Sequence, residues 1–480
     1  MEGFTDKVIS GFKWEASTRL IVQISSWVST IWVARLLTPD DYGIVGISGI
    51  FTGLLLKMAG MGLGQALVNL KDPKEYDFAN VFWGSGLLSL FCYLILFLLA
   101  PYIADYYEVP ELKNVLRFGG TIIVLSAMSI VPQALVMRNM NFKAAALIYM
   151  FANFIVTILT LAFAYLNFRY WSLVLSTWIS EIFILIAFTR MVRFLPSRPS
   201  NVATMMPLFK YGANIVSATL IGYLNWQWAT IYSGSFLGKT ITGHFQMAHT
   251  LAGLPMTKIG ELFNKIAFPS FSRIKEDTQR TKSVFLVMHR YLFMITLPMF
   301  IGLAVVVDLL IPILLGEKWI PIIVPVQILC VLNVFRISAQ IIPSILEGIG
   351  NTRANVHYQA LLVPIMGISM LIGVQWGLNG MLIAWALSYP IAYIHLLRVL
   401  FKNLNIHASE FWQSILPTIV SATVMVGCIV FFTYLIKIVE LNSFILLAFK
   451  VLVGVVSFYG CYFVLNKQHL IDMLRLVRRA

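Results

Sequence analysis

The chemistry this sequence offers lies in charged side chains that stand inside apolar stretches. Lys57 falls within residues 44–68, Lys258 and Glu261 within 243–268, Arg336 within 322–347, Glu181 within 171–192, and Arg19 near the start of 14–37. A charge at mid-bilayer costs about 2.5–3.5 kcal/mol on insertion scales, so each of these needs a partner or a water-filled cavity. Cations gathered on one cavity make it electropositive and draw an anion into it. A carboxyl in the same surroundings is either paired with a cation or protonated, and either condition suits it to ion or proton coupling.

The stretches that carry these groups must be helices with one polar face. Residues 14–37 place Glu15, Arg19, Gln23, Ser26 and Thr30 three or four apart, which at 3.6 residues per turn is one stripe. Residues 44–68 line up Gly46, Gly49, Gly53, Gly60 and Gly64 around Lys57. Residues 208–232 carry Asn214, Ser217, Asn225, Trp228 and Tyr232, and 243–268 carry Gln246, Thr250, Gly253, Thr257, Glu261 and Asn264 beside Lys258. Residues 322–347 carry Asn333, Arg336, Gln340, Ser344 and Glu347. The helices over 79–100, 284–307, 356–375 and 412–436 have no such stripe and read as lipid-facing scaffold.

The substrate set expected from these stripes is Arg19, Gln23, Lys57, Asn225, Trp228, Lys258, Arg336 and Gln340, with Glu181 and Glu261 as ion-coupling candidates. Trp228, Trp226 and Trp27 offer flat faces of the kind that stack on sugar rings. Alternatives stay open for several of them. Arg19 either pairs with Glu15 or meets substrate, Lys258 either lines the cavity or pairs with Glu261, and Arg336 either faces a cavity or makes an interhelical salt bridge. The glycines read as close helix packing, Lys450 as a cation snorkelling to the headgroups, and His244 and His249 as structural groups.

The composition sets the class. The chain has 480 residues, 59% of them apolar and only 12% charged, and its mean hydropathy is +0.83. A soluble protein of this size needs far more polar surface, so the chain reads as a polytopic membrane protein. The net charge of +14 sits in short loops between apolar spans, as membrane topology predicts, and nucleic acid is not expected as a partner. Cys92, Cys330, Cys428 and Cys461 lie in apolar segments without metal-type spacing, so neither a disulfide, a metal nor a cofactor is expected. The N-terminal stretch has no cleavable-signal pattern.

Apolar stretches of about 20 residues give roughly fourteen transmembrane helices, and the alternation of basic loops puts both termini on the cytoplasmic side. Residues 37–60 and 237–260 align without a gap at Leu37/Leu237, Gly43/Gly243, Gly53/Gly253, Leu54/Leu254 and Gly60/Gly260. This internal repeat implies two pseudo-symmetric six-helix lobes of like orientation, 1–195 and 208–402, joined by a cytoplasmic linker over 196–207. Two extra helices and a basic tail fill 403–480. In the tail, Leu470, Leu474 and Val477 recur among Lys467, Arg475, Arg478 and Arg479, which reads either as a helix on an anionic leaflet or as a solvated tail.

One further pattern points to a family. Ala34-Arg35-Leu36-Leu37-Thr38-Pro39-Asp40-Asp41-Tyr42-Gly43, followed by Gly60-Met61-Gly62-Leu63-Gly64, resembles the Wzx-type O-antigen and polysaccharide flippases of the multidrug/oligosaccharidyl-lipid/polysaccharide (MOP) superfamily. Arg138-Asn139-Met140-Asn141-Phe142-Lys143 and Phe209-Lys210-Tyr211-Gly212 are similar to the same family. The resemblance implies an all-α, V-shaped, MATE-like transporter of the bacterial inner membrane. It would move a polyprenyl-pyrophosphate-linked oligosaccharide by alternating access through a basic central cavity while the lipid tail stays in the bilayer. A proton or sodium counter-ion and a polysaccharide polymerase are the implied partners.

Two rivals are kept. A drug/cation antiporter of the same superfamily commonly has an acidic residue inside its first helix, whereas here the nearest is Glu15, at that helix's cytoplasmic end. A membrane polymerase or glycosyltransferase usually needs a large external loop, and the external loops here are short. Asp40 and Asp41 read as turn and helix-start residues and not as catalytic acids.

Overall fold

The computed structural model describes residues 27–479 apart from 28, 61, 71–73, 200–218, 221 and 437–441. Arg19 and Gln23 lie outside the described residues, and so do the side chains of Lys258 and Glu261. Among the described residues every regular element is helical. In chain order these are α1 (29–36), α2 (Pro39–Gly60), α3 (Leu63–Asn69), α4 (Glu75–Tyr106), α5 (Glu111–Gly119), α6 (Ile122–Arg138), α7 (Phe142–Tyr165) and α8 (Trp171–Val192). Then come α9 (222–232), a π-turn (Ser233–Leu237), α10 (Gly238–Ile274), α11 (Thr278–Leu314), α12 (Ile323–Gly348), α13 (Thr352–Gly373), α14 (Gly377–Leu404), α15 (Ala408–Ile436) and α16 (Ser443–Arg479).

Ten stretches of described helix are long and apolar enough to cross a membrane. One of them, Arg353–Leu404, holds two of the expected spans, α13 and α14. Residues 29–36, α9 and α10 stand where the sequence places spans one, seven and eight; they are helical but not among the ten. The scaffold helices present large apolar side chains outward, as Leu98 of α4 does at 68% exposed. Such faces belong against hydrocarbon, where they cost nothing.

The chain parts between Gly243 and His244 into two compact units. In the first, Ile44, Ile47, Leu96, Leu112, Leu116 and Ile123 form a core between α2, α4, α5 and α6. The helix expected over 44–68 is longer at its start and broken near its end. Thr38 donates from both its backbone N–H (2.9 Å) and its hydroxyl (2.8 Å) to Asp41 Oδ2, a cap that starts α2 at Pro39. The break falls where Gly62 takes φ +59°, a left-handed conformation in which glycine carries no Cβ penalty. Arg138 then closes the end of α3, donating to the carbonyls of Leu67 (3.3 Å), Val68 (3.3 Å) and Leu70 (2.7 Å).

The second unit packs α11, α15 and α16 around Met294, Leu297, Met425, Ile429, Phe458 and Tyr462. Here one expectation is corrected. Lys450 does not snorkel: its side chain is 6% exposed and its Nζ lies 3.6 Å from Asp308 Oδ2 on the neighbouring α11. An acid within reach on the adjacent helix costs less than drawing the ammonium to the surface. Asp308→Asn should therefore destabilise the protein more than Lys450→Met, because only the former strands a buried charge. Thermal unfolding of the two variants in one detergent checks the order, and equal losses would contradict it.

Candidate functional site

The two copies of the repeated turn touch each other. Asp41 is 1% exposed, and besides capping α2 it accepts from the Tyr170 N–H at 3.2 Å and lies 3.4 Å from Arg169 Nε. Its neighbour Asp40 is left facing outward and accepts a 2.5 Å hydrogen bond from the Thr240 hydroxyl. Lys239 pairs with Glu111 at 3.1 Å. Backbone meets backbone here: a Cβ on Gly43 would overlap the Lys239 carbonyl, and a Cβ on Gly243 would overlap the Pro39 carbonyl. Only glycine at both positions lets the turns come this close.

The contact continues down α2 along one face. Gly234 meets Ile47 and Tyr107, a Cβ there falling 3.2 Å and 2.8 Å from their side chains. Lower still, the Tyr223 hydroxyl lies 2.9 Å from the Gly49 carbonyl and 2.8 Å from that of Ile50. It has room because Gly53 has no side chain; a Cβ there would sit 2.6 Å from the phenol oxygen. The ammonium of Lys57, one turn on, lies 5.8 Å from the centroid of the Tyr223 ring. A cation over a ring face is attracted by the ring quadrupole without being neutralised, so Lys57 keeps its charge for another partner. Lys57 is exposed, and no acid pairs with it among the described residues.

Asn225 is buried on α9, and Trp228 stacks on Tyr232 at 5.3 Å with the rings 10° apart. The indole N–H of Trp228 is buried with no hydrogen-bond partner among the described residues, a group that water or a ligand hydroxyl would satisfy. On α8, Glu181 is hydrogen-bonded to Ser126 and stands beside Tyr149, so its partners come from α6 and α7. Tyr149 donates to Gln133 Oε1 at 2.9 Å, and Gln133 donates to Ser129 at 2.7 Å.

Arg336 and Gln340 belong to the second unit. Arg336 is 5% exposed; its guanidinium carbon lies 4.9 Å from the centroid of the Trp385 ring and it donates to Asn333 Oδ1 at 3.0 Å. Asn333 in turn donates 2.8 Å to the Ala252 carbonyl of α10, and His249 stacks on Trp385 at 6.5 Å. The Gln340 amide fills the space a Cβ on Gly260 would need, with its Oε1 2.5 Å from that position. The stripe of α12 therefore packs onto α10.

Sequence reasoning identified the glycines and Lys57 but passed over Tyr223, Glu111, Tyr149 and Trp385. The signal for Tyr223 was present in Gly53, which marks room for one large side chain from a neighbouring helix.

The model of the family described as "Polysaccharide biosynthesis protein" matches residues 32–324. Among curated proteins, the chain is 24% identical to the teichuronic acid biosynthesis protein TuaB of Bacillus subtilis, covering 88% of each chain. It is 23% identical to the lipopolysaccharide biosynthesis protein WzxC of Escherichia coli, covering 75% of this chain and 74% of the relative. Among solved structures, the lipid II flippase MurJ in an inward closed conformation superimposes with a TM-score of 0.77 at 14% identity, covering 94% of this chain and 100% of the other. An inward-facing MATE transporter of the MOP superfamily gives 0.62 at 16% identity, covering 80% and 95%. These structures share the fold, and the match over 32–324 spans more than half of the sequence: the chain belongs to the polysaccharide biosynthesis protein family.

Proposed function

We propose that this protein is a Wzx-type flippase that carries a polyprenyl-pyrophosphate-linked oligosaccharide across the bacterial inner membrane by alternating access, without chemical change to its cargo. The observation that carries this reading is Lys57, an exposed ammonium inside a membrane helix, seated on a tyrosine ring and with no acid paired to it among the described residues. A pyrophosphate supplies the missing anion. Arg19, Gln23 and Lys258 complete the basic cavity, Arg336 and Gln340 support it from behind by packing α12 onto α10, and Asn225 and Trp228 take sugar hydroxyls. The lobes 1–195 and 208–402 rock about it, with both termini cytoplasmic. The names of the relatives, a teichuronic acid and a lipopolysaccharide biosynthesis protein, support a glycan cargo of this class. A proton or sodium ion exchanges against the cargo, with Glu181 and Glu261 as its carriers, and a polysaccharide polymerase receives the product.

The test is transport of a fluorescent undecaprenyl-pyrophosphate oligosaccharide in proteoliposomes under an imposed proton or sodium gradient. Wild type moves the lipid, and Lys57→Ala loses about tenfold in rate or more, the loss of one charge-assisted contact. A wild type that moves no lipid but expels organic cations would replace this reading with that of an antiporter.

A further inference from the structure

Lys57 and the contact between the repeated turns lie on one rod. Among the residues of α2 that meet 223–243, Gly43, Ile47, Ile50, Gly53 and Lys57 are spaced three or four apart and so lie on a single face. From Asp40 to Lys57 the helix rises about 25 Å, a distance over which a packed helix moves as a body. Whatever shifts α2 at Lys57 therefore shifts it at Asp40.

Tyr223 is the group on this seam that lies against the cation. Its ring lies under the Lys57 ammonium, and its hydroxyl is held between the Gly49 and Ile50 carbonyls of the same helix. Gln227, one turn on in α9, hydrogen-bonds to it as well. The phenol has one proton to share between two carbonyls that already accept within α2, so this hold is easily broken when the ring moves. The ammonium is the ring's cationic neighbour, so its withdrawal removes an attraction that helps hold the ring, and with it the hydroxyl, in place.

We propose that Tyr223 is a positioning residue that links cargo to the outer turns: an anion drawn to Lys57 pulls the ammonium off the ring, frees the hydroxyl from Gly49 and Ile50, and lets α2 swing away so that Asp40 and Thr240 separate. This rests on the reading that a pyrophosphate lipid binds at Lys57, and it adds the residue through which binding is felt at the far end of the helix. Tyr223 contacts no cargo. Its phenyl ring and its hydroxyl have separable roles, the ring supporting Lys57 and the hydroxyl holding the seam.

The experiment uses the full chain in proteoliposomes, its four native cysteines replaced by alanine, with Asp40→Cys and Thr240→Cys reporting proximity of the turns by their rate of disulfide formation. The probe is undecaprenyl pyrophosphate without sugar, whose binding is measured separately with radiolabel. With Tyr223 intact, the probe lowers the disulfide rate by about fivefold or more, the low end of ordinary coupling between sites. Tyr223→Phe binds the probe as the parent does, forms the disulfide more slowly even without the probe, and no longer responds to it. Tyr223→Leu loses the response and also binds the probe more weakly. If both variants keep the parent's lipid-free rate and its response, the proposal is overturned. If the parent binds no probe, the transport reading fails instead, and the lipid-free rate of Tyr223→Phe still decides whether the hydroxyl holds the turns together.

Discussion

Gly43→Val is expected to abolish transport and to lower the thermal stability of the folded chain, and Gly243→Val to do the same. At each position the new side chain would meet a backbone carbonyl of the opposite turn, that of Lys239 or of Pro39, and backbone cannot rotate out of the way as a side chain can. Overpacking of this kind costs about 1–3 kcal/mol where neighbours can yield. Here the only relief is separation of the turns, which also breaks the Thr240–Asp40 hydrogen bond. The double variant should then lose little more than either single one, because the first substitution has already parted the surfaces that the second would push apart. Calorimetry and lipid transport on the three variants test this. Additive losses, or a Gly43→Val chain that transports normally, would show that the turns do not need to close.

The second large effect is expected at Asp41. Its carboxylate caps α2 through Thr38 and reaches the Tyr170 N–H at the start of α8, so one buried side chain joins two helices. Asp41→Ala leaves the Thr38 and Tyr170 donors without their buried acceptor. The lost cap and the stranded N–H groups together cost about 2–4 kcal/mol. Asp41→Asn keeps one acceptor oxygen and should lose about half as much. Asp40→Ala, one residue away and facing Thr240, should lower stability by about 1 kcal/mol or less while impairing transport. Chemical denaturation of the three variants should rank Asp41→Ala as the least stable, Asp41→Asn next and Asp40→Ala as the most stable. A reversal between the two positions would refute the assignment of roles.

That pair of aspartates shows how far the sequence alone could be read. Helix-start chemistry is local, three residues wide, and the Thr38-to-Asp41 spacing states it openly. The glycine stripe of α2 was legible as a pattern within one helix, but only in part as packing: Gly53 makes the close approach, whereas a Cβ at Gly49 or Gly60 would meet nothing within 4 Å. Tyr223 was not legible, because the polar stripe drawn through Asn225, Trp228 and Tyr232 lies on roughly the opposite face of α9. The groups beside Glu181 were hidden more deeply: Ser126 and Tyr149 sit on other helices, and no periodicity within one helix records a neighbour on another. Lys450 was misjudged on the same account, its partner Asp308 belonging to α11 and not to its own helix. Patterns along one element were readable; pairings between elements were not.

The contact between the turns has a regularity of its own. Gly43 meets residue 239 while Gly243 meets residue 39, and Asp40 meets residue 240. Under the offset of 200 that aligns the repeat, the first two contacts are the same contact made in both directions, and the third joins a position to its own counterpart. A local twofold axis near the Asp40–Thr240 hydrogen bond relates such contacts, the reciprocal geometry that isologous interfaces have. The surface where the turns meet thus has the reciprocal layout that two identical subunits would share. The side chains do not keep that symmetry: Asp40 faces Thr240, and Lys239, which pairs with Glu111, stands where the first turn has Pro39, so reciprocal backbone contacts carry unlike chemistry on the two sides.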